Sequence, residues 1–355
     1  MGAPKSHPYG DRRMTGLSMT KASMAALVAS LGLCACATLP MPVGSTAPAP
    51  LFVDCRGQPT ASPTVILEAG AFGTSADWDL VLKDAAKGGR VCAYDRAGLG
   101  RSPARPGGLG VLARARELRG VLDQIGESGP IILVGHSNGA LYAEAFARLY
   151  PSRVAGLVYV NGVGSDDLDH PALMASLSQE RQFSDLAVAI ARMGLSPLVA
   201  LELKEDGLSP RAARRKRQAL TCLRCLAVAR DEDRLITAGL SQTRQLPGDI
   251  SEIPVVVIVG DPDPRSAMAQ AWRAAEVAPA ARAQTRWILD APGATHVSPL
   301  VRDRAYVDAA IAWLRAPFVT PPPSPSKAGG LSADHQAPTF AMPLHGSAGA
   351  RAPSF

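Results

Sequence analysis

Short apolar runs alternate with amphipathic stretches between about residues 51 and 314. Residues 64–67 (TVIL), 90–94 (RVCAY), 131–134 (IILV), 154–160 (VAGLVYV) and 255–259 (VVVIV) are nearly continuous apolar segments. Runs of that length predict strands buried on both faces. Residues 51–55 and 284–289 predict two further strands. Between them, residues 75–87 predict a helix with Ser75 as N-cap and Trp78, Leu80, Val81 and Leu82 as its apolar positions. Residues 109–125 predict a second, with Leu112, Leu118, Val121, Leu122 and Ile125 on one side. A third begins at Asn138 and runs to about Tyr150, and a closing helix covers 302–314. Strands alternating with helices imply an α/β fold: a mostly parallel sheet with helices on both faces and ligands at the carboxyl ends of the strands. The alternation breaks after Asn161. Residues 162–249 carry helical patterns, such as Phe183, Leu186, Ala187 and Ile190 in phase, and predict a helical cap over the site.

The strand at 131–134 runs straight into Gly135-His136-Ser137-Asn138-Gly139, and a helix follows. A serine at such a strand–turn–helix corner occupies strained backbone, so the residues at both ends must lack a Cβ. The strain lifts the Ser137 hydroxyl above the sheet, and the helix aims free N–H groups at charge developing there. This is the composition of a nucleophile elbow.

Together with that elbow, the motifs VDCRG (Val53–Gly57), PTVILEAGAFGTSADW (Pro63–Trp78), RVCAYDRAGLGRS (Arg90–Ser102), LVGHSNG (Leu133–Gly139) and PGATHVSPL (Pro292–Leu300) resemble the α/β-hydrolase fold superfamily, in particular a branch of secreted bacterial serine hydrolases. The resemblance covers residues 51 to 314. Two departures from the better-known pattern stand out. The loop after the first buried strand has Ala69-Gly70 where His-Gly is usual, and Thr295 precedes the last-loop histidine where glycine is common. Neither removes a catalytic atom. The resemblance implies ester hydrolysis, with peptidases and lactonases in the same superfamily.

A serine hydroxyl needs a base and a group that orients the base, and in this architecture they follow in the order Ser, acid, His. Four histidines follow Ser137: His170, His296, His335 and His345. His296, in the loop after the last strand, is the candidate base; His170 falls early in the cap and the other two in the tail. The acid should follow the strand at 255–259. The usual G-x-x-D spacing points from Gly260 to Asp263, with Asp261 as the rival. Asn161, at another possible acid position, is no carboxylate. The oxyanion donors are the backbone N–H groups of Asn138 and Ala71. Epoxide hydrolases and haloalkane dehalogenases of this fold need a carboxylate nucleophile where Ser137 stands. The strand order of the family also makes the strands of Cys55 and Cys92 neighbours, which implies a disulfide between them. Cys222 and Cys225 have redox-motif spacing, but C-x-x-C on a regular helix is poor disulfide geometry.

The 355 residues suffice for one large domain. The formal charge is +6, aromatics make up 5%, and no Lys/Arg stripe interleaves with aromatic residues, which argues against nucleic-acid binding. Arg211, Arg214 and Arg215, with Lys216 and Arg217 beside them, predict a solvated basic helix face. The chain starts with a different pattern: Arg12, Arg13 and Lys21, then a short apolar run, then Leu33-Cys34-Ala35-Cys36-Ala37. Residues 1–37 read as an export signal. Either Cys36 is the lipidated first residue of a bacterial lipoprotein, or Ala35-Cys36-Ala37 is an A-x-A cleavage site. Residues 38–50 form a linker, 51–316 the hydrolase domain, and 317–355 a Pro-rich disordered tail. The expected protein is an exported serine hydrolase acting on a small-molecule ester, periplasmic and lipid-anchored to the outer membrane in a Gram-negative host. No cofactor or metal is implied. A peptidase or amidase of the same fold and a non-catalytic envelope binding protein are the alternatives.

Overall fold

The computed structural model describes residues 49–203, 207–261 and 267–316. The signal region with Cys36, all but the end of the linker, Asp263 and the tail from 317 therefore lie outside the described residues.

Seven strands form one sheet in the order β1-β3-β2-β4-β5-β6-β7. They are β1 (Val53–Arg56), β2 (Val65–Glu68), β3 (Val91–Tyr94), β4 (Ile131–His136), β5 (Val154–Val160), β6 (Val255–Asp261) and β7 (Arg286–Pro292). Only β1 runs antiparallel to its neighbour. The apolar runs are buried on both faces because successive side chains point to opposite sides. Ile131 and Leu133 of β4 join one core cluster, while Ile132 and Val134 join the other. The first face is covered by α2 (Val111–Gln124) and α3 (Asn138–Leu149). The second is covered by α1 (Asp79–Ala85) and α9 (Ala305–Arg315), with Val81, Leu82, Val307 and Ile311 as the packing residues. Helix α8 (Ala267–Arg282) links β6 to the edge strand β7, whose residues alternate between buried and exposed.

One helix differs from expectation. Helix α1 starts only after Trp78, because the segment before it is held in turns: Asp77 N–H donates to Thr74 O, and the Ser75 N–H is taken by Asp95. Ser75 is thus a partner of the β3 loop and not an N-cap. The segment after β5 comprises α4 (Pro171–Arg192), α5 (Ser196–Glu202), α6 (Pro210–Thr221) and α7 (Leu223–Arg244), all within the span 162–249 whose patterns predict helices.

Cys55 and Cys92 face each other across the β1–β3 ladder and are disulfide-bonded, with Cα atoms 4.0 Å apart. A bond across a separation of 37 residues stabilises the fold by about 2–4 kcal/mol. Cys222 and Cys225 are bonded too, against the helical expectation. Cys222 is not helical: with φ −83° and ψ 106° it stands between α6 and α7 as the N-cap of α7, and that kink brings its sulfur over Cys225. Among the described residues, no helix is long and apolar enough to cross a membrane, and no cluster of His, Cys, Asp or Glu is arranged to hold a metal.

Candidate active site

Among the described residues, three non-glycine residues hold positive φ: Phe72 at 53°, Ser137 at 52° and Asn161 at 43°. Each such residue costs about 1–3 kcal/mol unless its surroundings impose it. All three follow the carboxyl ends of adjacent strands, β2, β4 and β5. The strain is therefore concentrated where this sheet class binds ligands.

At the centre, Ser137 is the N-cap of α3 with ψ −129°. The flanking glycines are sterically required. A Cβ on Gly135 would lie 2.4 Å from the Ala140 Cα, and one on Gly139 would lie 2.6 Å from the Glu68 carbonyl oxygen. The loop after β2 passes close by: a Cβ on Gly70 would stand 2.9 Å from the Ser137 Cβ. The Asn138 and Ala71 N–H groups find no backbone acceptor among the described residues, as oxyanion donors require.

Two buried cations fix that loop by its carbonyls. Arg96 donates to Ala69 O and, at 3.0 Å, to Gly70 O. Lys216 donates to Phe72 O at 3.2 Å and pairs with the Asp77 carboxylate at 2.9 Å. With the Ala69, Gly70 and Phe72 oxygens held by these two cations, the Ala71 peptide lies between anchored carbonyls. Lys216 is thus a buried member of the site and not part of a solvated basic face. Arg215 too is drawn inward, 3.6 Å from Asp54 and 3.9 Å from Asp79. The reason lies in α6, which sets the two cations against carboxylates of β1 (Asp54), of the turn before α1 (Asp77) and of the first residue of α1 (Asp79).

His296 lies in the loop after β7 and is exposed. Neighbouring protein atoms, the His136 ring among them, disfavour its charged form by partial desolvation and lower its pKa from the ordinary 6.5. The ring is then neutral at pH 7, the form a general base needs. No hydrogen bond joins it to Ser137 Oγ in this resting geometry; catalytic hydrogen bonds commonly tighten only when substrate is bound. What holds it in place is its backbone. The His296 carbonyl accepts from His136 Nε2 at 3.0 Å and from Asn161 Nδ2 at 2.9 Å. Asn161 Oδ1 in turn accepts the Gly260 N–H at 2.6 Å. One amide thus ties the ends of β5 and β6 to the histidine loop. Because a carbonyl only accepts, His136 carries its proton on Nε2. Burial first, and then repulsion from His296 where that ring is protonated, push the His136 pKa down to about 3, so it stays neutral at pH 7. Its ring centroid is 4.8 Å from that of His296.

Asp263, the candidate acid, is outside the described residues. Its rival Asp261 is the last residue of β6, in register with Pro292 of β7. His170, as expected of a residue early in the helical insertion, is the N-cap of α4.

The insertion reaches the elbow through α7. Glu232 is buried between Arg96 and Arg114, at 2.9 Å and 2.7 Å, and Arg96 continues to Glu68 at 2.8 Å. Burial alone would raise the Glu232 pKa, but the two guanidinium groups hold it low. Next to it, Asp233 accepts from the Asn138 side-chain amide at 3.1 Å and from the Ser184 hydroxyl. Sequence reasoning passed over Arg96, Glu232, Asp233 and His136. The signals available were Arg96 in the motif after β3 and His136 inside the elbow motif; Glu232 and Asp233 sit in an ordinary charged helix.

A profile of the alpha/beta hydrolase family matches residues 65–309. The chain belongs to the alpha/beta hydrolase family. Across 175 residues it is 31% identical to an AB hydrolase superfamily protein of Gibberella zeae, covering 46% of this chain and 50% of that one. It is 38% identical over 114 residues to a Variovorax paradoxus protein whose name provisionally assigns it as carbamate hydrolase RutD, covering 32% of this chain and 42% of that one. The chain spans half or less of the length of these curated relatives. Among solved structures, a thermophilic esterase from Thermogutta terrifontis superposes with a TM-score of 0.54 at 22% identity, over 75% of this chain and 93% of that one, a likeness of fold.

Proposed function

We propose that this alpha/beta hydrolase is a serine hydrolase that cleaves a carboxylic ester through an acyl-enzyme on Ser137. The observation that carries the reading is the strained Ser137 at the end of β4, beside two backbone N–H groups without backbone acceptors. Ser137 Oγ attacks the ester carbonyl and His296 takes its proton. The N–H groups of Asn138 and Ala71 stabilise the oxyanion, and Asp263 orients His296. His296 then protonates the departing alcohol, and water, activated by the same histidine, releases the acid. The helices of residues 162–249 act as a cap that selects the substrate. Residues 1–37 export the chain, with Cys36 as the lipid-bearing residue that tethers it on the periplasmic side.

A fluorophosphonate probe tests the nucleophile. The wild type should be labelled at Ser137, and Ser137→Ala should lose labelling and turnover by several powers of ten, about 10⁶-fold for a triad serine, with its thermal unfolding unchanged. Unaltered labelling of the variant would sink the assignment, and an unreactive wild type would favour a binding protein that kept the fold. Cleavage of a C–N bond by the same serine is the second reading, favoured by the carbamate-named relative. A paired panel of esters, carbamates and amides separates the two.

A further inference from the structure

The Cys222–Cys225 pair takes no part in the chemistry of Ser137, and it differs in kind from Cys55–Cys92. A disulfide stabilises mainly by restricting the unfolded chain, and the restriction grows with the loop it closes. Cys55–Cys92 spans 37 residues of sequence, whereas Cys222–Cys225 spans 3. The short bond is also redundant for local shape. Arg224, between the two cysteines, donates to Gly98 O at 3.0 Å and to Ser102 O at 3.4 Å, which pins the turn to the loop after β3.

The two sulfurs are not equivalent. Cys225 is 4% exposed and packs with Leu99 and Ala229, with Phe72 and Val228 against the same cluster. Cys222 is partly exposed. It caps the 22-residue helix α7, and the Cys225 N–H donates to its sulfur at 3.3 Å. A thiolate there meets the free N–H groups and the positive end of the helix dipole, both of which favour the ionised form. Stabilising the reduced state makes the disulfide easier to reduce.

We propose that Cys222–Cys225 is a reversible thiol–disulfide exchange site that low-molecular-weight thiols open at Cys222. A thiolate attacks Cys222 Sγ. The Cys222–Cys225 bond breaks, and Cys225 leaves as a thiolate and takes up a proton. A second thiolate attacks the small-molecule sulfur of the mixed disulfide, which frees the Cys222 thiolate and one oxidised small-molecule disulfide. Two thiols are oxidised and one protein disulfide is reduced. The site lies against Phe72, in the loop that presents Ala71, so its state is set beside the candidate oxyanion donors.

Equilibrating the folded full-length chain in mixtures of reduced and oxidised dithiothreitol tests this without any variant. Samples are quenched in acid, alkylated and peptide-mapped. Cys222–Cys225 should be half reduced at a reduced-to-oxidised ratio at least about tenfold below that of Cys55–Cys92, equivalent to about 30 mV. Joint reduction of the two pairs, or prior loss of Cys55–Cys92, overturns the proposal. In oxidised glutathione, Cys225→Ser should acquire a mixed disulfide on Cys222, while Cys222→Ser should leave Cys225 unmodified over the same time. The opposite labelling would also overturn it.

Discussion

Ser137, Phe72 and Asn161 meet the candidate site from the sheet, and each is placed by a backbone angle that its residue type resists. Glu232 and Asp233 meet it from helix α7, Glu232 placed by buried ion pairs and Asp233 by hydrogen bonds. The two sides use different physics for one purpose. Strain on the sheet side is tolerated because strands buried on both faces leave the chain ends no freedom. The helical side has no such frame. Its registration on the sheet rests on a few polar contacts that cannot be broken singly without leaving a charge unpaired in a dry interior. A sheet-side substitution should therefore cost activity, and a helix-side substitution should cost stability first.

After the loss of Ser137 itself, the largest expected effect is on the candidate acid. Asp263→Asn should lower kcat/KM by about 10⁴-fold, the loss that follows when a triad histidine is no longer oriented by a charge. Asp261→Asn should do far less, since Asp261 ends β6 in register with β7. Steady-state kinetics of the two variants decide it, and the reverse order would move the acid onto the strand itself.

The next effect belongs to the helix side. Glu232→Gln keeps the shape but removes the charge between Arg96 and Arg114. The pair members are each 1% exposed, so the loss should reach about 3–5 kcal/mol, read from denaturant midpoints. Asp185→Asn breaks a pair on the same helix side with Arg234, but there the side chains are 46% and 50% exposed, and the cost should stay below about 1 kcal/mol. Equal losses from the two variants would mean that buried charge does not hold the helices in place.

The two sides also differed in legibility. The sheet side could be read from residues in sequence contact: four apolar residues before Gly135, small residues around Ser137, and His296 in the loop after a final strand. Each is a local demand of a strand, a turn or a glycine. Asn161 was visible only as a missing carboxylate, because its work is done by hydrogen bonds to His296 and Gly260, 135 and 99 residues away. The helix side was legible only as periodicity. Nothing near Glu232 reveals that Arg96, 136 positions earlier, will lie beside it. Lys216 looked like one of five charges on a surface helix until α6 was set against Asp77 and Phe72. The Cys222–Cys225 bond is hidden for a related reason: the pattern reads as one helix, while the chain bends between two.

The last test concerns Asp233, whose effect is spread over pH, and it asks whether the helix side is ionic throughout. Asp233 is 4% exposed. Burial pushes its pKa up to about 8; the Ser184 hydroxyl and Arg96 oppose the rise, and the charges of Glu180 and Glu232 add to it. At pH 7 the carboxyl is then mostly protonated and must donate its proton. Asn138 Oδ1 is buried without a partner, and turning the Asn138 amide round offers that oxygen as the acceptor. The folded value lies above the ordinary 3.8, so the folded state binds the proton more tightly than the unfolded chain does. The stability this supplies is complete below about pH 4 and is lost as pH rises through about 8. The slope is at most about 1.4 kcal/mol per pH unit. Asp233→Asn removes the titration, so its urea midpoint should rise relative to wild type from pH 5 to pH 8, and the two should converge toward pH 4. Parallel curves would mean that Asp233 stays ionised against Asn138 and Ser184. The helical side would then be held by charge alone, and the unpartnered Asn138 oxygen would need another cause.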